Sequence, residues 1–162
     1  MPNEQDFKNA WGKYASSVSV ITSIEPGGTV HGMAASDISS VSLDPMLVLV
    51  CVGHNRNSHP LIESSGRFAI NIMSDIQEDI VLHFAKSAEH RDPDFEIQYL
   101  FTSRRAAFIE GAIAQMDCRV IDQHTAGDHT IFIGEVEEIK VADNQPLLYY
   151  QGNFGRFNPK ND

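Results

Sequence analysis

The sequence predicts a mainly β protein, with about six antiparallel strands closed into a barrel and a few helices on its flanks. Short runs rich in Val, Ile and Thr are bounded by Gly, Pro, Ser and Asp, the pattern of strands separated by tight turns. Two long apolar-periodic segments close the chain. The alternating strand and helix units that build a doubly wound parallel sheet are missing.

In chain order, Asn3 stands where a helix cap belongs, ahead of Phe7, Ala10, Trp11 and Tyr14 on one helical face. The spacing predicts a helix ending near Gly12 to Ala15. Val18 and Val20 begin a strand, Pro26-Gly27-Gly28 turn it, and Thr29, Val30 and His31 return towards the small-residue run Gly32 to Ser36. Met46 to Val52 is a continuous apolar run after Ser40 to Pro45 and predicts a strand buried on both faces. A polar loop, Gly53 to Ser58, leads into a short helix around His59 to Ser64, which Gly66 ends; Arg67 to Met73 reads as a strand.

Ser74 with Gln77 has the form of a capping box before the helical face Ile76, Ile80, Val81 and Phe84. Residues 87 to 105 are polar and irregular, with Asp92-Pro93-Asp94 as a turn, and are expected to form a lid or a dimer-contact loop. Two strands follow, one with Ala112, Ala114, Met116, Cys118 and Val120 in alternation, the other with Ile131, Ile133, Val136, Ile139 and Val141. Thr125 to Asp128 turn between them. Without a repeat or a linker, residues 1 to 162 are expected to be one domain.

A net charge of −10 argues against nucleic acid as partner, because phosphate-backbone binding needs clustered Lys and Arg. No basic run is present to hold an anionic membrane surface, and the longest apolar run is too short to cross one. The first residues lack the form of a signal peptide, so a cytoplasmic location is expected. Cys51 and Cys118 lie in apolar runs and read as buried reduced thiols; neither has metal-site spacing, and no metal is expected. Dinucleotide, P-loop, zinc-protease and serine-hydrolase motifs are absent.

The order of segments is the informative feature. Gly32-Met33-Ala34-Ala35-Ser36-Asp37 runs through Ser40-Val41-Ser42-Leu43-Asp44-Pro45 into Leu47 to Val52, followed by Asn55-Arg56-Asn57-Ser58-His59 and Phe68-Ala69-Ile70-Asn71. Gly127-Asp128-His129-Thr130-Ile131-Phe132-Ile133-Gly134-Glu135-Val136 and Pro146 to Tyr150 follow downstream. From Phe7 to Phe157 this order resembles the flavin reductase-like, FMN-binding split-barrel family, which includes the reductase components of two-component monooxygenases. The resemblance implies a homodimer of six-stranded split barrels, FMN or FAD near the dimer interface and NADH or NADPH as electron donor. It also implies a partner monooxygenase that receives the reduced flavin.

Site residues follow from the resemblance together with their chemistry. Met33, Ala34, Ala35 and Ser36 let the backbone approach a flat ring, and the Ser36 and Ser40 hydroxyls are placed to bond its polar edge. Cys51, Val52 and Gly53 end the neighbouring strand. Asn55, Arg56, Asn57 and Ser58 enter a helix with amide, hydroxyl and guanidinium donors, which suits a phosphate. His129 matches a histidine that in the family lies near nicotinamide and flavin, and is the expected catalytic residue. Asn71, Phe154 and Arg156 are expected near the cofactor or the neighbouring subunit. Asp37, and Asn where relatives often carry Ser or Thr, depart from the family pattern. A barrel that retains FMN and reduces a metal or quinone, or a non-catalytic flavin-binding module, are the alternatives that the residues leave open.

Overall fold

A computed structural model describes residues 1–160. Its first half runs α1 (Glu4–Trp11), β1 (Ser16–Ser17), β2 (Ser19–Ile24), β3 (Val30–Ala35), β4 (Ile38–Leu43), β5 (Met46–Gly53), α2 (Ser58–Ser65) and β6 (Arg67–Ile72). The second half runs α3 (Glu78–Ala85), a 3-10 turn at Ala88–His90, β7 (Tyr99–Phe101), β8 (Ala107–Ile109), β9 (Ala114–Ala126), β10 (His129–Val141), β11 (Leu147–Tyr150) and β12 (Asn153–Arg156). The fold is mainly β, as the sequence predicts.

Seven strands form one antiparallel sheet in the order β3-β2-β6-β9-β10-β5-β4. Its two edges, β3 and β4, are separated in the chain by Ser36 and Asp37 alone. A flat sheet cannot satisfy that, so the sheet curls until both edges meet at one place, although no ladder joins them. The curl wraps the main core, which includes Ile21, Val50, Phe68 and Phe132. Gly134 permits part of it: a Cβ there would lie 2.7 Å from the Phe68 ring and 2.9 Å from Cys118 Cβ. A register shift falls beside this residue, where a bulge sharpens the local twist.

The β9–β10 hairpin turns on Gly127, whose φ of 63° suits glycine, and places His129 first on β10. Gly66 ends α2 as the sequence predicts, in a left-handed cap at φ 65°. α3 buries Val81 and Phe84 in a second core with Val20, Met73 and Leu147. The Phe84 ring lies where a side chain on Gly32 would be, so this glycine lets α3 seat on β3.

Several expectations change. β5 is buried on one face, with Val48, Val50 and Val52 inside and Leu47, Leu49 and Cys51 half-covered, because only one side of the curled sheet faces the core. The Ser74–Gln77 pair locks a turn and caps no helix: Gln77 Oε1 accepts from the Ser74 N–H and Oγ at 3.1 Å each, while its amide donates to the Glu110 carbonyl at 2.8 Å. The helix therefore starts at Glu78 and leaves Ile76 exposed. On β9 the predicted alternation holds: Cys118 is buried in the main core, and Met116 and Val120 pack against it. Gln115 and Asp117 are buried as well, on the opposite face, where Asp117 pairs with Arg67 at 2.6 Å and accepts from Thr102. α1 has its predicted cap, a reciprocal Asn3–Asp6 box, yet buries none of its residues. Residues 87 to 105 hold the 3-10 turn and the first strand of the β7–β8 hairpin. β1, β11 and β12 form a small second sheet in the order β1-β11-β12. Among the described residues no helix is long and apolar enough to cross a membrane.

Candidate functional site

β5 ends at Gly53, and the next residues turn sharply into α2. His54 N–H donates to the Asp128 carbonyl at 2.9 Å, Arg56 N–H to the Gly53 carbonyl at 3.0 Å, and His59 N–H to the Arg56 carbonyl at 3.0 Å. This fixed turn presents Asn55, Arg56, Asn57 and Ser58 to a cavity of about 240 Å³. The first N–H groups of a helix lack partners within it and carry partial positive charge, which favours an anion. Ser58 is 1% exposed, and its Oγ has no hydrogen-bond partner among the described residues. Such a buried hydroxyl is costly unless a ligand or water completes it.

The opposite wall comes from elsewhere in the chain: His31 and Met33 on β3, and Lys86, Ser87, Glu89 and Arg91 after α3. Arg91 is clamped in place. Its Nη2 donates to the Gly32 carbonyl at 2.9 Å, its Nε donates to the Lys86 carbonyl at 3.1 Å, and its guanidinium lies 5.1 Å from the centre of the Phe84 ring. Burial pulls its pKa down while Tyr99 and Glu89 raise it, and a guanidinium stays charged in proteins. Burial, with Arg91 as the second cause, lowers the pKa of His31 and favours its neutral form. Arg56, Lys86 and Arg91 thus face a single carboxylate, Glu89, within a chain of net charge −10. These donors fit a phosphate.

A second cavity, of about 350 Å³, is floored by Ala34, Ala35 and Ser36 and walled by Val18, Val81, Leu82, Tyr149 and Phe154. Small floor residues and apolar walls suit a flat ring system. Ser36 also borders a cavity of about 770 Å³ beneath α1, shared with Phe7, Trp11 and Tyr14.

His129 stands opposite Gly53 across the β10–β5 ladder, with its side chain 44% exposed. Its Nδ1 lies 2.7 Å from Asp128 Oδ1, and this hydrogen bond is the main cause holding the Asp128 carboxyl below its ordinary range. A Cβ on Gly53 would come within 3.4 Å of His129 Nε2 and 3.1 Å of Asn55 Oδ1, so glycine keeps the turn and the histidine close together.

The structure brings Met33, Asn55, Arg56, Asn57 and Ser58 to the first cavity and Ala34, Ala35, Ser36 and Phe154 to the second. It does not bring the others. Asn71 is fully buried: its amide donates to the Val20 carbonyl and Thr22 Oγ1, and its Oδ1 accepts from Ile109 N–H. Every group it offers is used by the fold. Val52 is fully buried in the main core. Ser40 is exposed on β4 and lines none of the three cavities. Arg156 pairs with Asp75 at 3.2 Å instead. Cys51 is half-buried and lines none of the three cavities; burial, then Asp37, pushes its thiol pKa up. Asp37 itself is exposed. Sequence reading misses His31, Lys86 and Arg91. Their only signal is the polar stretch after α3, which does not reveal that Arg91 folds back on β3.

A curled β-sheet with a cationic cradle and a small-residue groove on either side of one strand defines a nucleotide-cofactor-binding protein. Comparisons narrow the class. The family described as flavin reductase like domain matches residues 11–158. An NADH-dependent flavin reductase of Rhodococcus sp is 38% identical over 91% of this chain and 83% of its own length. The reductase component of a 4-nitrophenol 4-monooxygenase/4-nitrocatechol 2-monooxygenase of Rhodococcus opacus is 32% identical over 97% of this chain and 83% of its own. The solved structure of the NADH:FAD oxidoreductase of Streptomyces globisporus C-1027, in complex with NAD and FAD fragments, superposes with a TM-score of 0.89 at 31% identity, covering 99% of this chain and 96% of that one. The chain belongs to the flavin reductase-like family.

Proposed function

We propose that the chain is an NAD(P)H-dependent flavin oxidoreductase that supplies reduced FMN or FAD to a partner monooxygenase. The observation that carries this reading is the convergence of Arg56, Lys86 and Arg91 on a phosphate-sized cavity at the start of α2. When bound, the reduced nicotinamide supplies a hydride and the flavin ring accepts it, so the protein needs no acid–base pair of its own.

The residues have distinct tasks. Asn55, Arg56, Asn57 and Ser58, with Lys86 and Arg91, hold the flavin phosphate through charge-assisted hydrogen bonds. Ala34, Ala35 and Ser36 bear the ring, with Phe154 at its margin. His129, oriented by Asp128 and close to Gly53 beside the Asn55 turn, positions the nicotinamide. The cavities are open to solvent, as a donor that must enter and leave requires. The same reading extends to architecture. With β3 and β4 acting as one bent strand, the seven strands make a six-stranded split barrel, and residues 1 to 162 work as one domain in the cytoplasm. The exposed Phe7 and Trp11 on α1, Tyr14 just after it, and Leu43 and Met46 at the β4–β5 turn support pairing of two copies as a homodimer.

The test is anaerobic titration of the protein and FMN or FAD with NADH and NADPH, followed by the loss of the flavin's visible absorbance. Bleaching at a rate proportional to protein is the expected result. No bleaching with either donor removes the oxidoreductase reading and leaves a flavin-binding module. Passage of the reduced flavin through a small-pore filter supports supply to a partner, and its retention points to reduction of another acceptor.

A further inference from the structure

The buried phase of β10 is Thr130, Phe132, Gly134 and Val136, and Thr130 is its one polar member. Phe132 and Val136 belong to the main core. Thr130 lies opposite Val52, next to the end of β5, and is 5% exposed. A valine would fill this position with nearly the same shape and leave no buried hydroxyl to satisfy, so the hydroxyl calls for a reason.

Its partners supply one. Thr130 Oγ1 lies 2.8 Å from His59 Nε2 and 3.1 Å from His54 Nε2, its only hydrogen-bond partners among the described residues. These two histidines bracket the cradle, His54 directly before Asn55 to Ser58 and His59 directly after. One buried oxygen thus ties both ends of the four-residue segment to β10. The imidazoles also meet edge to face with centres 5.1 Å apart, and the His59 ring rests 5.4 Å from that of Phe132. His54 is held a second time, because its N–H donates to the Asp128 carbonyl at 2.9 Å. A hydroxyl has a single proton and can give it to one imidazole only. At least one of the two histidines therefore donates its own Nε2–H to Thr130.

We propose that Thr130 is a positioning residue for the phosphate cradle, holding Asn55 to Ser58 through His54 and His59 where they meet the flavin phosphate. The inference rests on the cradle reading given above. Thr130 lines neither the cradle nor the groove, and acts through the two imidazoles alone. Its effect is therefore confined to ligands that carry a phosphate.

Equilibrium titration of wild type, Thr130→Val and Thr130→Ser with FMN and with riboflavin tests this, alongside thermal melting of each ligand-free protein. In Thr130→Val, FMN affinity should fall about tenfold, the scale of two neutral hydrogen bonds, while riboflavin affinity holds. Thr130→Ser retains the hydroxyl and should keep the wild-type affinity for FMN. A general loss of stability would lower the melting temperature without separating the two ligands. His54→Ala, at an exposed side chain, removes one arm of the bracket and should weaken FMN about threefold. Combined with Thr130→Val it should add little, since both changes break the same contact.

Four results overturn the proposal: unchanged FMN affinity in Thr130→Val, an equal loss for riboflavin, a loss in Thr130→Ser as large as in Thr130→Val, or fully additive losses with His54→Ala. If Thr130→Val does not fold, wild-type FMN affinity in His54→Ala overturns it alone. A wild type that binds FMN and riboflavin alike removes the cradle reading and this inference with it. A wild type that prefers FMN, beside a Thr130→Val protein with the same preference, removes the inference and leaves the cradle standing.

Discussion

The two cavities that flank β3 recognise by opposite means. The cradle of Asn55 to Ser58, Lys86 and Arg91 offers charge and hydrogen-bond donors in a small space, whereas the groove over Ala34 to Ser36 offers area and almost no charge. One strand serves both, with Met33 lining the first and Ala34 to Ser36 the second. Under the proposed function the difference means that a flavin nucleotide's two halves are read separately, the phosphate electrostatically and the ring by shape. A strongly acidic chain can therefore bind an anionic cofactor, because local donors outweigh the net charge at contact distance.

Changes that affect one half should spare the other. The largest effect is expected from Arg56→Gln combined with Arg91→Gln. Two charge-assisted hydrogen bonds are lost, so FMN affinity should fall on the order of a hundredfold. Equilibrium titration checks this, and riboflavin, which lacks the phosphate, should bind both proteins alike. Next in size is Asn71→Ala, outside both cavities. It strands the Ile109 N–H and the Val20 carbonyl and should cost about 2–3 kcal/mol in urea unfolding, with flavin affinity of the folded protein unchanged. Ala34→Leu intrudes on the groove and should weaken FMN and riboflavin equally, by about tenfold, as overpacking of 1–3 kcal/mol implies. His129→Ala should slow reduction by NADH about tenfold and leave flavin affinity intact; equal effects on both would make it structural.

The smallest expected effect concerns pH and lies far from both cavities. The hydrogen bond from Arg67 is the largest cause holding the Glu137 carboxyl below its ordinary value of 4.5, ahead of burial, which opposes it. A group whose pKa is lower folded than unfolded stabilises fully above the unfolded value and loses that contribution as pH falls through the folded one. The urea midpoint should therefore be insensitive to this group near neutrality and decline on acidification below the ordinary carboxylate range. Glu137→Gln should flatten the decline.

The sequence carries one wall of each cavity and not the other. Asn55 to Ser58 are contiguous and precede a helix, and Ala34 to Ser36 are contiguous and small, so local pattern is enough to find them. Arg91 comes from a segment without periodicity and acts only because its guanidinium folds back on the Gly32 carbonyl. Val81 and Tyr149 reach the groove through α3 and the small second sheet, both placed by long-range packing. Asn71 illustrates the reverse error. A polar residue at a strand end reads as a ligand contact, yet here its amide completes backbone groups of β2 and β8. Strand identity and phase on β9 are legible from alternation, since Met116, Cys118 and Val120 face the main core. The burial of Asp117 on the other face is not, because with its Arg67 partner it looks like two surface charges in the sequence.

The central claim is that the cradle reads the phosphate and the groove reads the ring, and paired titration of the unaltered protein with FMN and riboflavin tests it most directly. FMN should bind at least tenfold more tightly at low salt, with the gap narrowing as salt is raised while riboflavin affinity holds steady. Equal affinity for the two at low salt would contradict the account.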